Sequence, residues 1–234
     1  MMTIEFFYPI GKEPEKDPVI ELLPNEYCSA SIIFYPFIKM PDSWVSADAP
    51  TNKEIYKSGS PISWREIQRR SNLNSISEVS KAVIAYLTGG LARGIYQRLD
   101  LFNKINENIE PNLFFPNEDE YSMLLIDDML KVLGSKGAKK VLYNKLIEGS
   151  GVFELNKLTT EQKLYLCSGP MIIMDEYRDF SFTCYFDQAS MVFFTKEDNL
   201  DCLKETKFEG VFLEKETPLI WENHQCTYFN YNRT

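Results

Sequence analysis

Two adjacent carboxylates, Asp175 and Glu176, follow the apolar run MIIM, with Asp179 close behind. Acids delivered together to the end of a strand can ligate a divalent cation or share general acid and general base work. With Asp187 further along, they make up a carboxylate-based or metal-assisted enzyme reading of this sequence. The competing reading is solvated acids beside a tight turn, Tyr177-Arg178-Asp179-Phe180, between two strands.

A second constellation is cationic. Arg65, Arg69 and Arg70 lie in the first half of ISWREIQRRSNLNSISEVSKAVIAYLTGG, residues 62–90. The stretch 63–87 resembles a helix-turn-helix in length and turn. Residues 61–100 hold six basic and three acidic side chains, a local +3 that leaves −12 for the rest of a chain whose net charge is −9. In a helix-turn-helix the second helix reads the groove, yet here the arginines sit on the first. The second offers serines, Glu78 and Lys81. Arg70 also stands four residues after Glu66, the spacing and order of an intrahelical ion pair. Phosphate binding is driven by clustered cations, which this acidic chain lacks overall. Nucleic acid therefore ranks behind another protein or an anionic small molecule as partner, and Arg65, Arg69 and Arg93 are the candidate anion-binding residues. Arg93 belongs to TGGLARG, residues 88–94. A helix starting there would aim free N–H groups and a guanidinium at an anion. No P-loop or dinucleotide fingerprint accompanies it, and no cofactor is expected.

Other chemistries find few residues. His224 is the one histidine, which excludes a multi-histidine metal site and forces any Ser-His or Cys-His pair through this residue. Cys226 lies two residues on, so in an extended segment the two side chains share a face. Cys28, Cys167, Cys184, Cys202 and Cys226 are odd in number and irregular in spacing. They fit neither a disulfide framework nor a metal or redox motif, and read as buried free thiols in a reducing compartment. No metal site is expected.

The elements that must position these groups follow from periodicity. At 234 residues, 44% hydrophobic and 14% aromatic, the chain can bury a full core. No apolar run approaches the roughly 18 residues of a membrane span, and the opening MMTIEFFYPIG carries no basic leader. The expectation is a cytoplasmic protein without a membrane segment. Residues 1–60 read as strands and loops, with TIEFFYP and SASIIFYPFI as strands and 41–61 as an irregular loop anchored by Trp44 and Tyr56.

Residues 61–168 read as helical, about six helices within 63–166. Capping boxes start three of them, at Ser63 with Glu66, Ser75 with Glu78 and Thr159 with Gln162. The others are 91–106, burying Leu91, Ile95, Leu99 and Phe102; one opened by Asn117, with Glu118, Asp119 and Glu120 in its first turn and Ile126, Met129, Leu130 and Leu133 buried; and 137–147. Residues 169–234 turn to strands: MIIMDEY, an alternating FSFTCYF, SMVFFT and FEGVFLE, a short helix from Thr195 to about 205, and edges PLIWEN and TYFNYN. Segregated helices and strands give an α+β fold in a single domain, 1–234, its helical centre packed on a mainly antiparallel sheet from the C-terminal third that N-terminal strands join. The favoured function is non-catalytic binding of a protein or small ligand. Oligomeric state leaves no signal in the residues.

Overall fold

The computed structural model describes residues 13, 16–44, 48–91, 93–184 and 188–231. The strand expected in TIEFFYP and the acid Asp187 lie outside the described residues. Among the described residues are seven α-helices, an eight-stranded sheet and a three-stranded one, an α+β architecture.

In spatial order the large sheet runs β11 (Tyr228–Asn230), β10 (Glu209–Phe212), β1 (Ser29–Phe34), β9 (Ser190–Thr195), β8 (Phe180–Thr183), β7 (Met171–Asp175), β5 (Lys140–Lys145) and β6 (Gly149–Glu154). Every neighbouring pair is antiparallel. The N-terminal strand β1 therefore joins the C-terminal strands, and it does so at the centre, between β10 and β9. The small sheet sets β2 (Phe37–Lys39) between β3 (Ser60–Ile62) and β4 (Leu113–Phe114).

Side-chain parity in the paired strands assigns the two faces. Phe193 lies opposite Phe182, which lies opposite Ile173, which lies opposite Tyr143, so these four share one face. There Tyr165 of α7 (Thr160–Leu166) meets the Tyr143 ring edge-on, 5.5 Å between centroids. Phe34 belongs to the other face, where Trp64 of α3 (Trp64–Arg70) stacks on it at 4.2 Å. Helices on both sides explain why β7, β8 and β9 are buried along their whole length. The alternation expected of FSFTCYF is accordingly overridden: Ser181 and Thr183 are as buried as the phenylalanines, and Ser181 shares a hydrogen bond with the Tyr27 hydroxyl at 3.0 Å.

The helical middle departs from expectation in three places. The segment expected as helix 137–147 is β5, paired with β7 and turned back into β6; Gly137 and Gly149, at φ +85° and +84°, bracket a hairpin strand rather than a helix. The helix expected over 91–106 is only α5 (Leu99–Asn106), because the chain turns at 93–97 through backbone bonds from Tyr96 and Gln97 to the Arg93 carbonyl. Leu91, Ile95 and Leu99 are 90%, 56% and 44% exposed instead of buried. Asn117 opens no helix: Asp119 sits at φ +62°, a left-handed conformation that interrupts the turn, and α6 begins later (Ile126–Gly134). Its stripe Ile126, Met129, Leu130 and Leu133 is buried as expected. Conversely, the loop expected over 41–61 contains α2 (Asn52–Ser58), started by a Thr51–Glu54 capping box. Near the C-terminus Thr195 accepts from the Glu197 N–H, but only a 3₁₀ turn forms, Asp201–Leu203, and PLIWEN adds no strand.

Capping predicts the remaining starts. Ser63 accepts from Glu66 N–H at 3.1 Å to begin α3, and Ser75 from Glu78 N–H at 3.2 Å to begin α4 (Ile76–Leu87). Both glutamates are spent elsewhere, Glu66 on arginines and Glu78 on Asn74, so these boxes are half formed. Thr159 and Gln162 make a full box at α7.

Candidate functional site

The helix α4 presents Ser77, Ser80 and Lys81 on one side, the i, i+3, i+4 spacing of a single helical face. All three grip the segment that follows Trp221. Ser77 hydroxyl donates to the Glu222 carbonyl, Ser80 hydroxyl donates to Glu222 Oε1 at 2.6 Å, and Lys81 Nζ donates to Asn223 Oδ1 at 2.8 Å. Asn223 Nδ2 reaches the Tyr96 hydroxyl at 3.1 Å, and a turn closes from His224 N–H to the Trp221 carbonyl at 2.8 Å. The polar face that a groove-reading helix would need free is thus committed to holding Glu222 inside the fold.

Glu222 is 7% exposed. Its Oε2 has no hydrogen-bond partner among the described residues, and Glu222 is one of the residues lining a cavity with Phe34, Trp64, Trp221, Ser80 and the apolar side of α4. About 10 Å³ of that cavity is open to the centre of a water molecule, room for roughly one water-sized group. Phe34 lies between the two indoles, stacked on Trp64 at 4.2 Å and on Trp221 at 5.3 Å. Trp64 Nε1–H is turned away and spent on the Tyr35 carbonyl at 2.7 Å. The half-exposed Ile84, Leu87 and Gln188 form the mouth.

Burial raises the Glu222 pKa, partly offset by the Ser80 hydroxyl. Above the ordinary glutamate range the native state therefore keeps a proton that the unfolded chain has released. The stability contributed by Glu222 is complete below that range and declines as pH rises through the native pKa. Glu222→Gln removes the decline: its urea midpoint should rise relative to the native protein's between pH 5 and pH 8, and an unchanged difference would refute the assignment.

The residues singled out by sequence are scattered. Asp175, 1% exposed, accepts from Tyr177 N–H at 2.7 Å and from Phe180 N–H at 2.6 Å, one oxygen each. It ties the β7–β8 turn, in which Arg178 adopts φ +58°. Burial raises its pKa. Glu176 accepts from Lys139 N–H at 2.8 Å, and Asp179 faces Lys136 and Lys196 at 3.8 Å. Phe180 pairs with Thr195 while Phe34 pairs with Ser190, so the Asp175 turn and the Glu222 cavity adjoin opposite ends of β9, roughly 16 Å apart along the strand. Asp175→Ala should cost about 2 to 4 kcal/mol in urea unfolding by stranding the buried Phe180 N–H and the part-buried Tyr177 N–H, and Asp175→Asn about half as much because one acceptor oxygen remains. No group of three or more metal-ligating acids, cysteines or histidines occurs among the described residues.

Of the arginines singled out by sequence, Arg69 and Arg70 are engaged by acids. Glu66 receives Arg69 at 2.8 Å and Arg70 at 2.7 Å, which together push its pKa down to about 2. Arg70 also forks onto Glu110 at 2.9 and 3.0 Å, where Lys39 approaches at 3.8 Å. Arg65 lies over the Tyr228 ring at 4.9 Å, a cation–π contact. Arg93 is exposed in the turn upstream of α5, away from any helix start. His224 is exposed, and Cys226 beside it is half-buried. All five cysteines are free; Cys167 and Cys184 are buried, Cys28 is exposed.

Two further features stand outside the sequence-based expectations. Glu209 on β10 accepts from Trp64 N–H at 2.6 Å, Arg65 N–H at 2.9 Å and the Tyr228 hydroxyl, so a strand carboxyl caps α3. Lys145 Nζ is enclosed by Glu148 at 3.1 Å, Ser168 at 2.9 Å and the Tyr165 ring at 3.9 Å. Both are fully satisfied sets. Glu222 carries no spacing pattern of its own; the one hint was an acid placed directly after the apolar PLIW.

A family described as Protein of unknown function (DUF2711) matches residues 15–223. A relative from Bacillus subtilis, described as Uncharacterized protein YwbB, is 29% identical over 217 residues, which cover 88% of this chain and 96% of the relative. No solved structure matches. Among the described residues no helix is long and apolar enough to cross a membrane.

Proposed function

We propose, for a chain that belongs to the DUF2711 family, a non-catalytic binding role whose small-ligand site is the cavity closed by Glu222, Ser80, Trp64, Phe34 and Trp221. The observation that carries this reading is that Glu222, a residue lining that cavity, is buried with its Oε2 unpaired among the described residues. Leaving a buried polar atom unpaired costs about 1 to 3 kcal/mol, and such a cost is tolerated in a fold when a ligand or water completes the group. Flat aromatic walls with one placed polar group are the usual make-up of a small-molecule site.

Two other assignments have less behind them. The carboxylates Asp175 and Glu176 already accept backbone N–H groups, and Arg69 already pairs with Glu66, so neither an acid–base pair nor an open anion site is evident there. Action in a reducing, cytoplasmic compartment is supported by five free thiols.

A thermal-shift screen of small polar fragments, run in parallel on the native protein and on Glu222→Gln, tests the site. Fragments that stabilise the native protein and lose at least tenfold in affinity in Glu222→Gln are the expected result. Stabilisation equal in both proteins would place binding elsewhere and refute it.

A further inference from the structure

We infer that the Glu222 cavity is built for the ammonium head of a primary amine. This deepens the proposal that the cavity is a ligand site and rests on it. The lining decides the charge of the guest. Phe34, Trp64, Ser80, Val83, Ile84 and Leu87 form much of it, Gln188, Ala189, Ser190 and Trp221 complete the rest beside Glu222, and none of these side chains is cationic. The nearest cation acting on the carboxyl is Lys81, whose ammonium is held on Asn223 Oδ1 at 2.8 Å. A lining that contains an acid and no cationic side chain favours a cation over an anion.

The donor and acceptor inventory points the same way. Ser80 already gives its hydroxyl proton to Oε1, and Trp64 Nε1–H is spent on Tyr35. With the carboxyl ionised, what the cavity offers a guest is therefore the acceptor Oε2, with Ser80, Ser190 and Gln188 as the other polar residues of the lining. A group rich in donors matches that set, and an ammonium brings three donors and no acceptor. Size sets the remaining limit. Space for about one water-sized group admits –NH3⁺ but excludes guanidinium and quaternary ammonium heads. The mouth at Ile84 and Leu87 is aliphatic and half exposed, suited to the carbon chain that would trail behind the head. The incoming ammonium pairs with the Glu222 carboxylate, and a proton held on the carboxyl passes to solvent on binding.

The test is isothermal titration of the full chain at constant ionic strength and pH 7.5. The probes are ethylammonium, ethanol, acetamide, tetramethylammonium and potassium chloride, each against the native protein, Glu222→Gln and Leu87→Trp. Leu87→Trp narrows the mouth at a half-exposed position without touching the carboxyl, and so remains informative if Glu222→Gln folds poorly. Ethylammonium binding at least tenfold tighter than every other probe, and lost in both variants, is the expected outcome. Ethanol or acetamide binding as well as ethylammonium, with loss in the variants, would overturn the ammonium assignment while the cavity stood as a ligand site. Potassium matching ethylammonium would make it a monovalent-cation site and likewise overturn the amine. No probe binding to the native protein, or binding indifferent to both variants, would overturn the ammonium inference together with the site.

Discussion

Gly210→Ala loses about 3 kcal/mol or more of stability, enough to lower the melting temperature by about 6 to 12 °C in a chain of this size. Gly210 sits in β10, between β1 and β11, and a Cβ there would lie 2.0 Å from the Ile32 carbonyl oxygen and 3.0 Å from the Phe229 ring. The first obstacle is backbone in the middle of the sheet. Ile32 cannot retreat without breaking its pairings, since β1 is bonded to β9 on its other side across six registered residues. Gly94→Ala is the matched control, because nothing lies within 4 Å of a Cβ at that exposed turn. Its effect should stay within about 0.5 kcal/mol. Urea unfolding followed by tryptophan fluorescence reports both, and a Gly210→Ala variant as stable as Gly94→Ala would contradict the packing described for β10.

Glu209→Ala is expected to lose a similar amount, about 3 kcal/mol, for a different reason. The carboxyl is 5% exposed and serves as the acceptor for the first two N–H groups of α3 and for the Tyr228 hydroxyl. Truncation leaves the buried Trp64 N–H and the part-buried Arg65 N–H without partners, at about 1 to 3 kcal/mol each before relaxation, and opens a void beneath Trp64. Glu209→Gln keeps the shape and one acceptor oxygen and should lose less than half as much. Burial raises the Glu209 pKa despite these donors. The penalty for truncation is therefore larger at pH 5 than at pH 8, as the native carboxyl's advantage over the unfolded chain fades when pH climbs through its folded pKa. Equal unfolding midpoints for Glu209→Ala and the native protein would remove the strand-to-helix cap from the account of how α3 is held.

The elements that residue order reveals are those with local punctuation. Ser63, Ser75 and Thr159 bond N–H groups three residues away, so their helices start where the sequence says. The strands β7, β8, β9 and β10 are dense in β-branched and aromatic residues and are found where expected. The segment 140–145 failed as a helix because Lys140-Val-Leu-Tyr-Asn-Lys suits either periodicity, and the decision is made by β7 alongside it. Glycines at 137 and 149 marked boundaries correctly and said nothing about what they bounded. The Leu91–Ile95–Leu99 stripe had helical spacing, yet Gly89 and Gly90, at φ +57° and +79°, release the chain into turns that leave it outside. The candidate site was least legible of all. Glu222 meets Ser77 and Ser80 across some 140 residues of sequence, and no window short enough to read contains both. The arginines and the Asp175 pair attracted notice because they cluster in sequence; in space their charges are answered by neighbours.

The central position of β1 bears on how this chain comes into being. Its Ile33 pairs with Met191 on one side and Gly210 on the other. During synthesis at about 5 to 20 residues per second, the strand waits roughly 8 to 30 seconds before either flank exists. Through that interval SASIIFYPFI is an apolar ribbon with both hydrogen-bonding edges bare, the kind of segment that aggregates or recruits a chaperone. The last fifth of the chain is thus the part that ends a nascent hazard created in the first, and premature termination before residue 190 releases a polypeptide whose β1 lacks both of its partner strands.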